Sequence, residues 1–398
     1  MMIKKLFLTM TLALSSMLSG QEPPNTAQII AGHNQFCWKL YQELATEPGN
    51  CFVSPYSVSQ ALTMAYVGSI GKTKEEMQKT LFLPKVSNDQ LCAINRAVLE
   101  RLPTGFISAQ AIAIDTSYKV STNYNQLLQQ EFKAEAFTTD WNSYLEMSLN
   151  TINNWVSDKT GKCVPKLLSE DDVKAKPKVI LLNAVHFKRP WAVAFDRANT
   201  QKQPFTLRNG RIMTCDLMQT EREMNYTEND LMQLAELDYA NEKEETGRYS
   251  CITILPRPGK LSQVERLLSQ ELLDRWLSKC RMNKVHFFLP KCTQRVRYAL
   301  RKPLENLGMK WPFSQSAQFP AISAENKTDL YIDSVIHEAF LQMDEETTEA
   351  AAATAVIMIE KTSIDREKPT PVMRCDRPYF LAIQEKKTGL ILFVGRIE

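Results

Sequence analysis

The chain has 398 residues, of which 44% are hydrophobic and 23% are charged. This balance excludes the low hydrophobicity and high net charge that are typical of an intrinsically disordered protein. The formal net charge of +3 is too small for the basic surface of a nucleic-acid-binding protein, so we expect no nucleic-acid partner.

The first 20 residues have the pattern of a secretory signal peptide. Lys4 and Lys5 give a positive start, residues 6–18 are mostly apolar, and Ser19 and Gly20 are small residues before a cleavage point. The apolar run is shorter than the roughly 20 residues that a membrane span needs. The pattern predicts removal of residues 1–20, a secreted extracellular protein formed by residues 21–398, and no membrane partner. The alternative is a buried first helix.

Periodicity predicts helices in the first third of the chain and strands after it. Apolar residues recur at three- and four-residue spacing in the early stretches, which places them on one helical face. The predicted helices are 26–44, 57–66, 72–81, 88–102, 149–157 and 261–277, and the clearest predicted strands are 111–114, 179–182, 249–255, 284–289 and 391–394. Helices first, followed by strands with a few helices between them, predict an α+β fold with much antiparallel sheet.

The sequence offers little support for an enzyme. No zinc-protease, phosphate-loop or nucleophile-elbow motif occurs around any of its four histidines, which are His33, His186, His286 and His337. None of the nine cysteines forms a Cys-x-x-Cys pair, which disfavours structural zinc. We therefore expect no catalytic residue, no metal and no cofactor. The odd cysteine count leaves at least one thiol unpaired in an exported protein.

Three segments, in this order, resemble the serpin family. They are NCFVSPYS at 50–57, NAVHFKRPW at 183–191 and the run 337–396, which contains EETTEAAAAT at 345–354. With weaker matches between them, the resemblance covers residues 30–397. It implies a single serpin domain with mixed multi-stranded sheets, a large central sheet, about eight or nine helices and an exposed reactive loop at about 345–375.

The resemblance also implies a function. In this family a target protease cuts the exposed loop, and its serine forms an acyl-enzyme with the cut end. The freed loop then inserts as a new strand into the central sheet and distorts the attached protease before water can release it. The expected function is suicide inhibition of a serine protease by a monomeric chain that is not itself an enzyme.

The family's usual distance from Glu345 places the cleaved bond between Lys361 and Thr362. A lysine suits an acidic primary pocket, so trypsin-like serine proteases are the expected partners. The stretch after Lys361 is several residues longer than usual for the family. The alternatives for the cleaved position are therefore Arg366 before Glu367, Ile359 and Met358. The last two would direct the loop to elastase- or chymotrypsin-like proteases.

The hinge of the loop fits strand insertion. Its residues are Glu345, Thr347, Thr348, Glu349, Ala350, Ala351, Ala352, Ala353 and Thr354. Alternate side chains of an inserted strand face the core, and from Thr348 onward that set begins with small residues that lose little side-chain entropy. Propensity alone would instead predict a helix over 345–361.

One hinge position departs from the family pattern. Thr347 stands where inhibitory serpins usually have glycine, and a β-branched side chain resists the backbone angles of a pivot. Two alternatives therefore stay open: a non-inhibitory serpin that acts as a carrier, a chaperone or a protease substrate, and a cross-class inhibitor of cysteine proteases.

Five further residues resemble the family's control of sheet opening. Ser54, Ser57, Asn183 and His337 match the polar group beneath the central sheet, and Trp191 matches the residue at its top. Buried polar groups need partners, so separating the strands would break their hydrogen bonds. The alternative for His337 is a core histidine with satisfied hydrogen bonds, and for Trp191 it is simple core packing.

Overall fold

A computed structural model describes residues 25–103, 105–241, 249–325, 329–345 and 369–398. Within these ranges the chain forms ten α-helices and fourteen β-strands, which confirms the α+β class. None of the helices in the described ranges is long and apolar enough to cross a membrane. The described residues group into two compact units. Those of the first fall within Met1–Phe187, Gln294–Leu341 and Lys387–Gly395, and those of the second within Lys188–Thr293, Gln342–Lys386 and Arg396–Glu398.

The helices and strands have the following bounds. The helices are α1 Thr26–Leu44, α2 Pro55–Val67, α3 Gly71–Thr80, α4 Asn88–Leu99, α5 Thr122–Phe132, α6 Leu145–Lys159, α7 Glu170–Val173, α8 Leu261–Leu267, α9 Gln270–Leu277 and α10 Arg301–Asn306. The strands are β1 Cys51–Val53, β2 Phe106–Asp115, β3 Glu135–Thr139, β4 Val179–Phe187, β5 Gln201–Thr206, β6 Ile212–Glu228, β7 Met232–Asp238, β8 Tyr249–Pro256, β9 Arg281–Pro290, β10 Cys292–Ala299, β11 Ser334–Met343, β12 Val372–Arg374, β13 Tyr379–Glu385 and β14 Ile391–Ile397.

Local sequence signals explain where several helices begin. At α2, the Ser54 hydroxyl accepts a hydrogen bond from the Ser57 backbone N–H, and Pro55 occupies the first helical turn. The predicted helix over 261–277 was wrong as one element. The backbone of Leu268 is extended, and Ser269 caps a new helix by accepting from the Leu272 N–H, so α8 and α9 are separate.

The first unit is built on a five-stranded sheet in the order β10-β11-β4-β2-β3. Strands β4 and β11 are neighbours and run parallel, with His337 opposite Asn183 in the register. Strand β2 pairs antiparallel with the other edge of β4. Because successive side chains alternate between faces, even-numbered residues of β4 and β11 face one side of this sheet and odd-numbered residues face the other.

Helix α6 covers the even-numbered face of that sheet. One buried apolar cluster joins the helix, the segment that follows it and three strands. Its members include Leu149, Ile152 and Val156 of α6, Leu167 and Leu168 of the following segment, Ala111 of β2, Ile180 and Leu182 of β4, and Ile336 and Phe340 of β11. Burial of this apolar area holds α6 on the sheet.

The second unit is built on antiparallel pairs. Its strands follow the order β13-β8-β7-β6-β9-β12, and β5 pairs with β6. The edge strand β12 is an exception, because it runs parallel to β9. The broad apolar runs predicted at 249–255 and 284–289 are its strands β8 and β9.

All nine cysteines lie in the described ranges, and none of them forms a disulfide. Six are buried, and burial raises the pKa of thiols such as Cys92 and Cys251 to about 12. Deeply buried protonated thiols behave as small apolar side chains. The buried thiols therefore contribute to the core by packing.

Gly395 offers a test of packing in the first unit. A Cβ atom added at Gly395 would lie 2.6 Å from the backbone oxygen of Cys51, which cannot rotate away. We expect Gly395→Ala to lower the free energy of unfolding by about 1–3 kcal/mol. Gly161→Asn is the control, because Gly161 has a left-handed backbone that asparagine tolerates and no atom within 4 Å of the added Cβ. Urea denaturation should separate the two, and equal stability would contradict this packing.

Candidate functional site

The parallel pair of β4 and β11, which we call the seam, is the central feature of the first unit. Its register runs from Ser334 opposite Ile180 to Leu341 opposite Phe187. No strand lies between the two, since they are direct neighbours in the sheet order. The seam is therefore closed, and its backbone groups are paired with each other.

A chain of polar side chains, the seam network, lies on the odd-numbered face of the seam. The Asn183 side-chain amide donates to the Ser57 hydroxyl over 2.6 Å, and Asn183 Oδ1 lies 2.5 Å from Nδ1 of His337. The Ser54 backbone N–H donates to Nε2 of His337 over 3.2 Å, and the Ser54 hydroxyl donates to the Leu392 backbone oxygen over 2.7 Å. The structure thus brings together the four residues that the sequence predicted at this site.

The hydrogen bonds determine the form of His337. A backbone N–H can only donate, so Nε2 of His337 is an unprotonated acceptor. The ring proton must then sit on Nδ1, from which it is donated to Asn183. His337 is fully buried, and burial lowers its pKa to about 3. The ring is therefore neutral, with both nitrogens satisfied, and it joins β11 to β4 and to the start of α2.

Two neighbours of the seam network were not predicted from the sequence. The Ser108 hydroxyl on β2 lies 3.1 Å from that of Ser57, and the Tyr298 ring on β10 stacks parallel to His337 at 6.5 Å between centroids. Neither residue belongs to the segments that carried the resemblance. The strand pattern around each gives only a weak signal, because a single serine or tyrosine on a sheet is common.

A second cluster surrounds Glu345 in the second unit. Its carboxylate accepts hydrogen bonds from the Thr200 hydroxyl and from Nζ of Lys291, each over 2.7 Å, and its backbone oxygen accepts from the Phe195 N–H. The indole N–H of Trp191 donates to the backbone oxygen of the preceding residue, Asp344, over 2.9 Å. These contacts hold the chain in place at Asp344 and Glu345.

The charge on Glu345 is stabilised where it lies. Glu345 is only 4% exposed, and burial alone would raise the pKa of its carboxyl. The hydrogen bonds from Lys291 and Thr200 outweigh that effect and hold the pKa below its usual value. Trp191 contributes by packing: its ring stacks on Tyr239 at 4.7 Å between centroids. Lys291 was missed in the sequence, which gives no signal that pairs it with Glu345.

The remaining predicted site residues lie outside the described residues. These are Thr347, Thr348, Glu349, Ala350, Ala351, Ala352, Ala353 and Thr354 of the hinge, and Lys361 and Thr362 of the cleaved bond. The predicted signal segment, 1–20, lies outside them too. Among the residues that the structure does describe, no group of three or more His, Cys, Asp or Glu is placed to hold a metal ion.

The closed seam of β4 and β11, with the buried polar network on one face, is the feature of the first unit to compare with known proteins. A family model described as Serpin (serine protease inhibitor) matches residues 31–398. The chain therefore belongs to the serpin family, as the resemblance predicted.

Two relatives support this assignment over most of their length. A serpin-like protein of the archaeon Thermococcus kodakarensis is 33% identical over 383 residues, which is 95% of this chain and 86% of that protein. A leukocyte elastase inhibitor of Xenopus laevis is 32% identical over 377 residues, 91% of this chain and 96% of that protein.

Solved structures agree with the fold. Mouse protein Z-dependent protease inhibitor matches with a TM-score of 0.82 and 23% identity, covering 94% of this chain and 97% of that one. Human thyroxine-binding globulin matches with a TM-score of 0.81 and 24% identity, covering 93% and 98%. At these identities the likeness establishes the fold alone.

The neutral form of His337 predicts a pH dependence of stability. The pKa of His337 falls from 6.5 in the unfolded chain to about 3 in the folded chain, so only the unfolded chain takes up this proton between those values. The contribution of His337 is fully present above pH 6.5 and is lost as the pH falls toward about 3, by about 1.4 kcal/mol per pH unit. Urea denaturation at several pH values should show this slope, and His337→Gln should reduce it.

His33 serves as a comparison for that experiment. It is also buried, its Nδ1 lies 2.7 Å from the Ser59 hydroxyl, and burial lowers its pKa to about 4. His33→Gln should therefore remove a similar slope at a site away from the seam. If His337→Gln left the pH slope of the wild type unchanged, the assignment of a neutral, buried His337 ring would be contradicted.

The ion pair of Lys291 and Glu345 predicts a measurable coupling. Removing Lys291 leaves a buried carboxylate without its strongest partner, so Lys291→Ala should lower stability by about 1 kcal/mol or more. After Glu345→Gln the same change should cost much less, which a double-mutant cycle by thermal unfolding would measure. Arg275→Ala is the control, because both members of its ion pair with Glu271 are exposed. Strictly additive effects would contradict the pairing.

Proposed function

We propose that this serpin is a suicide inhibitor of trypsin-like serine proteases. The protease cuts the bond between Lys361 and Thr362, in the loop that follows Glu345, and forms an acyl-enzyme with Lys361. The loop then inserts into the seam, and the attached protease is displaced and distorted before deacylation. The observation that carries this proposal is the closed seam between β4 and β11.

The direction of the strands supports insertion at this place. The loop follows β11 in the chain, so a segment that turns back after Glu345 would run antiparallel to β11. Because β4 is parallel to β11, the same segment would also run antiparallel to β4. One inserted strand could then pair with both neighbours, and its two edges would each gain a ladder of backbone hydrogen bonds.

The length and composition of the loop fit that space. Strand β4 has nine residues and β11 has ten, and the segment 348–358 has a comparable length. Each net backbone hydrogen bond stabilises by about 1 kcal/mol, so insertion of about ten residues supplies a large driving force. The seam network opposes opening, because its buried groups would lose their partners.

Lys361 is the proposed bait residue. Its amine would bind the acidic primary pocket of a trypsin-like protease. Arg366 is the second candidate and would select the same protease class. One relative, the Xenopus laevis protein, is named as an inhibitor of leukocyte elastase, which supports protease inhibition in general. Met358 or Ile359 as the bait would favour elastase- or chymotrypsin-like targets instead.

Thr347 favours a second candidate function. If its β-branched side chain slows the pivot, the protease would hydrolyse the acyl-enzyme before insertion. The chain would then be a protease substrate or a non-inhibitory carrier. Inhibition of cysteine proteases by the same loop is a separate alternative. The small hinge residues Ala350 to Ala353 support the inhibitory reading over these.

Export is part of the proposal. The positive start and short apolar run of residues 1–20 support secretion, which would place the inhibitor with extracellular proteases. We propose that it acts there as a monomer, with each chain trapping one protease molecule.

Mixing the purified protein with trypsin tests the proposed function. A covalent complex that survives denaturing gels is expected, together with a released C-terminal fragment that begins at Thr362 by mass spectrometry. Lys361→Ala should abolish this complex with trypsin, because the acidic pocket loses its partner. Arg366→Ala is the matched control and should leave the complex unchanged if Lys361 is the bait. Clean cleavage without a complex would contradict trapping and favour the substrate reading.

A further inference from the structure

The segment that follows α6, residues 160–178, lies across the seam, and we call it the linker. Leu167 and Leu168 of the linker belong to the same buried cluster as Leu182 of β4 and Ile336 of β11. The linker therefore shares one buried apolar cluster with strands on both sides of the seam, on the face opposite the seam network.

One side of the linker is fixed to α6. The Asn153 side chain of α6 accepts hydrogen bonds from the Leu167 and Leu168 N–H groups, each over 2.9 Å, and donates to the Leu168 oxygen. Helix α6 itself contacts β2 and β3, which lie on the β4 side of the seam. The hydrogen bonds of Asn153 thus attach the linker to the β4 side of the seam.

The other side of the linker is tied to β10 by two arginines. Nε of Arg297 donates to the Leu167 oxygen over 2.9 Å, and its Nη2 lies 2.7 Å from the Asp172 carboxylate. Nη2 of Arg295 donates to the Cys163 oxygen over 2.6 Å. Strand β10 lies beside β11, on the far side of the seam. We call Arg295, Arg297 and their linker partners the clasp.

Charge complementarity supports the clasp. Burial alone would raise the pKa of Asp172, but the hydrogen bonds from Arg297 and Ser169 hold it below its usual value. Arg295 also lies 3.7 Å from the carboxylate of Glu338 on β11, which is 4% exposed. The two arginines are thus placed by buried or half-buried acceptors, and such charge-assisted hydrogen bonds are stronger than neutral ones.

The sequence around these arginines also allows another interpretation. Arg295, Arg297, Arg301 and Lys302 form the richest local basic run, and such a run is typical of a glycosaminoglycan site or of a solvated strand face. The structure pairs the first two with the linker, and Arg301 donates to backbone oxygens of Asp333 and Phe313. Most of the basic groups in this run therefore already have partners within the chain.

Opening the seam must strain the clasp. Neighbouring strands lie about 4.8 Å apart, so a strand inserted at the seam moves β11 and β10 away from β4 by about that distance. Hydrogen bonds of 2.6 to 2.9 Å cannot stretch that far. Either the two arginines lose their hydrogen bonds to the linker, or the linker loses its hydrogen bonds to Asn153 and its apolar packing against the β4 side of the seam.

We propose that Arg295 and Arg297 act as a brake on loop insertion by holding the linker across the closed seam. This inference rests on the proposed function, because the event that it slows is strand insertion. The brake is built from β10, which is neither part of the loop nor part of the seam network.

The experiment measures insertion without any protease. A labelled synthetic peptide with the sequence of residues 348–358 is incubated with the full-length chain, and its incorporation is followed by native gels and by the rise in melting temperature. Arg297→Ala and the double variant with Arg295→Ala should take up the peptide faster than the wild type. We expect roughly a tenfold increase for the double variant, which corresponds to about 1.4 kcal/mol in the barrier.

Lys302→Ala is the matched control. It removes the same charge from the same basic run, at an exposed position on α10, and should leave the rate unchanged. Arg297→Lys should restore part of the brake, because a lysine can still donate to Asp172.

The outcomes separate this proposal from the proposed function. If the wild type and all variants take up the peptide at the same rate, the proposal of a brake is contradicted, and the proposal of strand insertion is still supported. If Lys302→Ala accelerates uptake as much as Arg297→Ala, charge alone acts and the clasp is wrong. If no chain takes up the peptide, insertion at the seam fails, and the brake fails with it.

Discussion

The hydrogen bond from Nδ1 of His337 to Asn183 is the interaction on which the rest of the structure depends. This hydrogen bond crosses the seam at the one position in the register of β4 and β11 where both facing side chains are polar and fully buried. Because Nε2 of the same ring accepts from the Ser54 N–H, the start of α2 is held to both strands. The closed seam, the position of α2 and the neutral state of His337 therefore depend on one another.

Under the proposed mechanism, this arrangement explains how a closed seam would persist beside a more favourable alternative. An inserted strand would replace the single ladder between β4 and β11 with two ladders of hydrogen bonds. The first step of insertion must nevertheless separate Asn183 from His337, which are both fully buried. The cost of unpaired buried polar groups comes before the gain of new pairs. In the proposed mechanism, this order of events would make the closed state long-lived without making it the most stable one.

The sequence predicted those parts of the molecule that depend on local pattern or on recognisable segments. Helix α1 was predicted with its observed bounds because its apolar spacing is regular. The four residues of the seam network were predicted because each lies in one of the three segments that resemble the family. They are Ser54, Ser57, Asn183 and His337. The partners of Glu345 were not predictable, since Lys291 is 54 positions away and Thr200 is 145 positions away. The break at Leu268 was missed because apolar spacing continues through it.

The clasp shows why a basic run is ambiguous in sequence. Arg295 and Arg297 alternate with Val296 and Tyr298, as on any strand with one solvated face. Their meaning depends on what lies over that face, and the linker that covers it is more than 120 positions earlier in the chain. The seam is thus restrained on one face by neutral buried side chains and on the other by partly exposed charged ones. Of the two restraints, only the charged one should weaken with salt, because screening acts on exposed pairs and spares buried neutral ones.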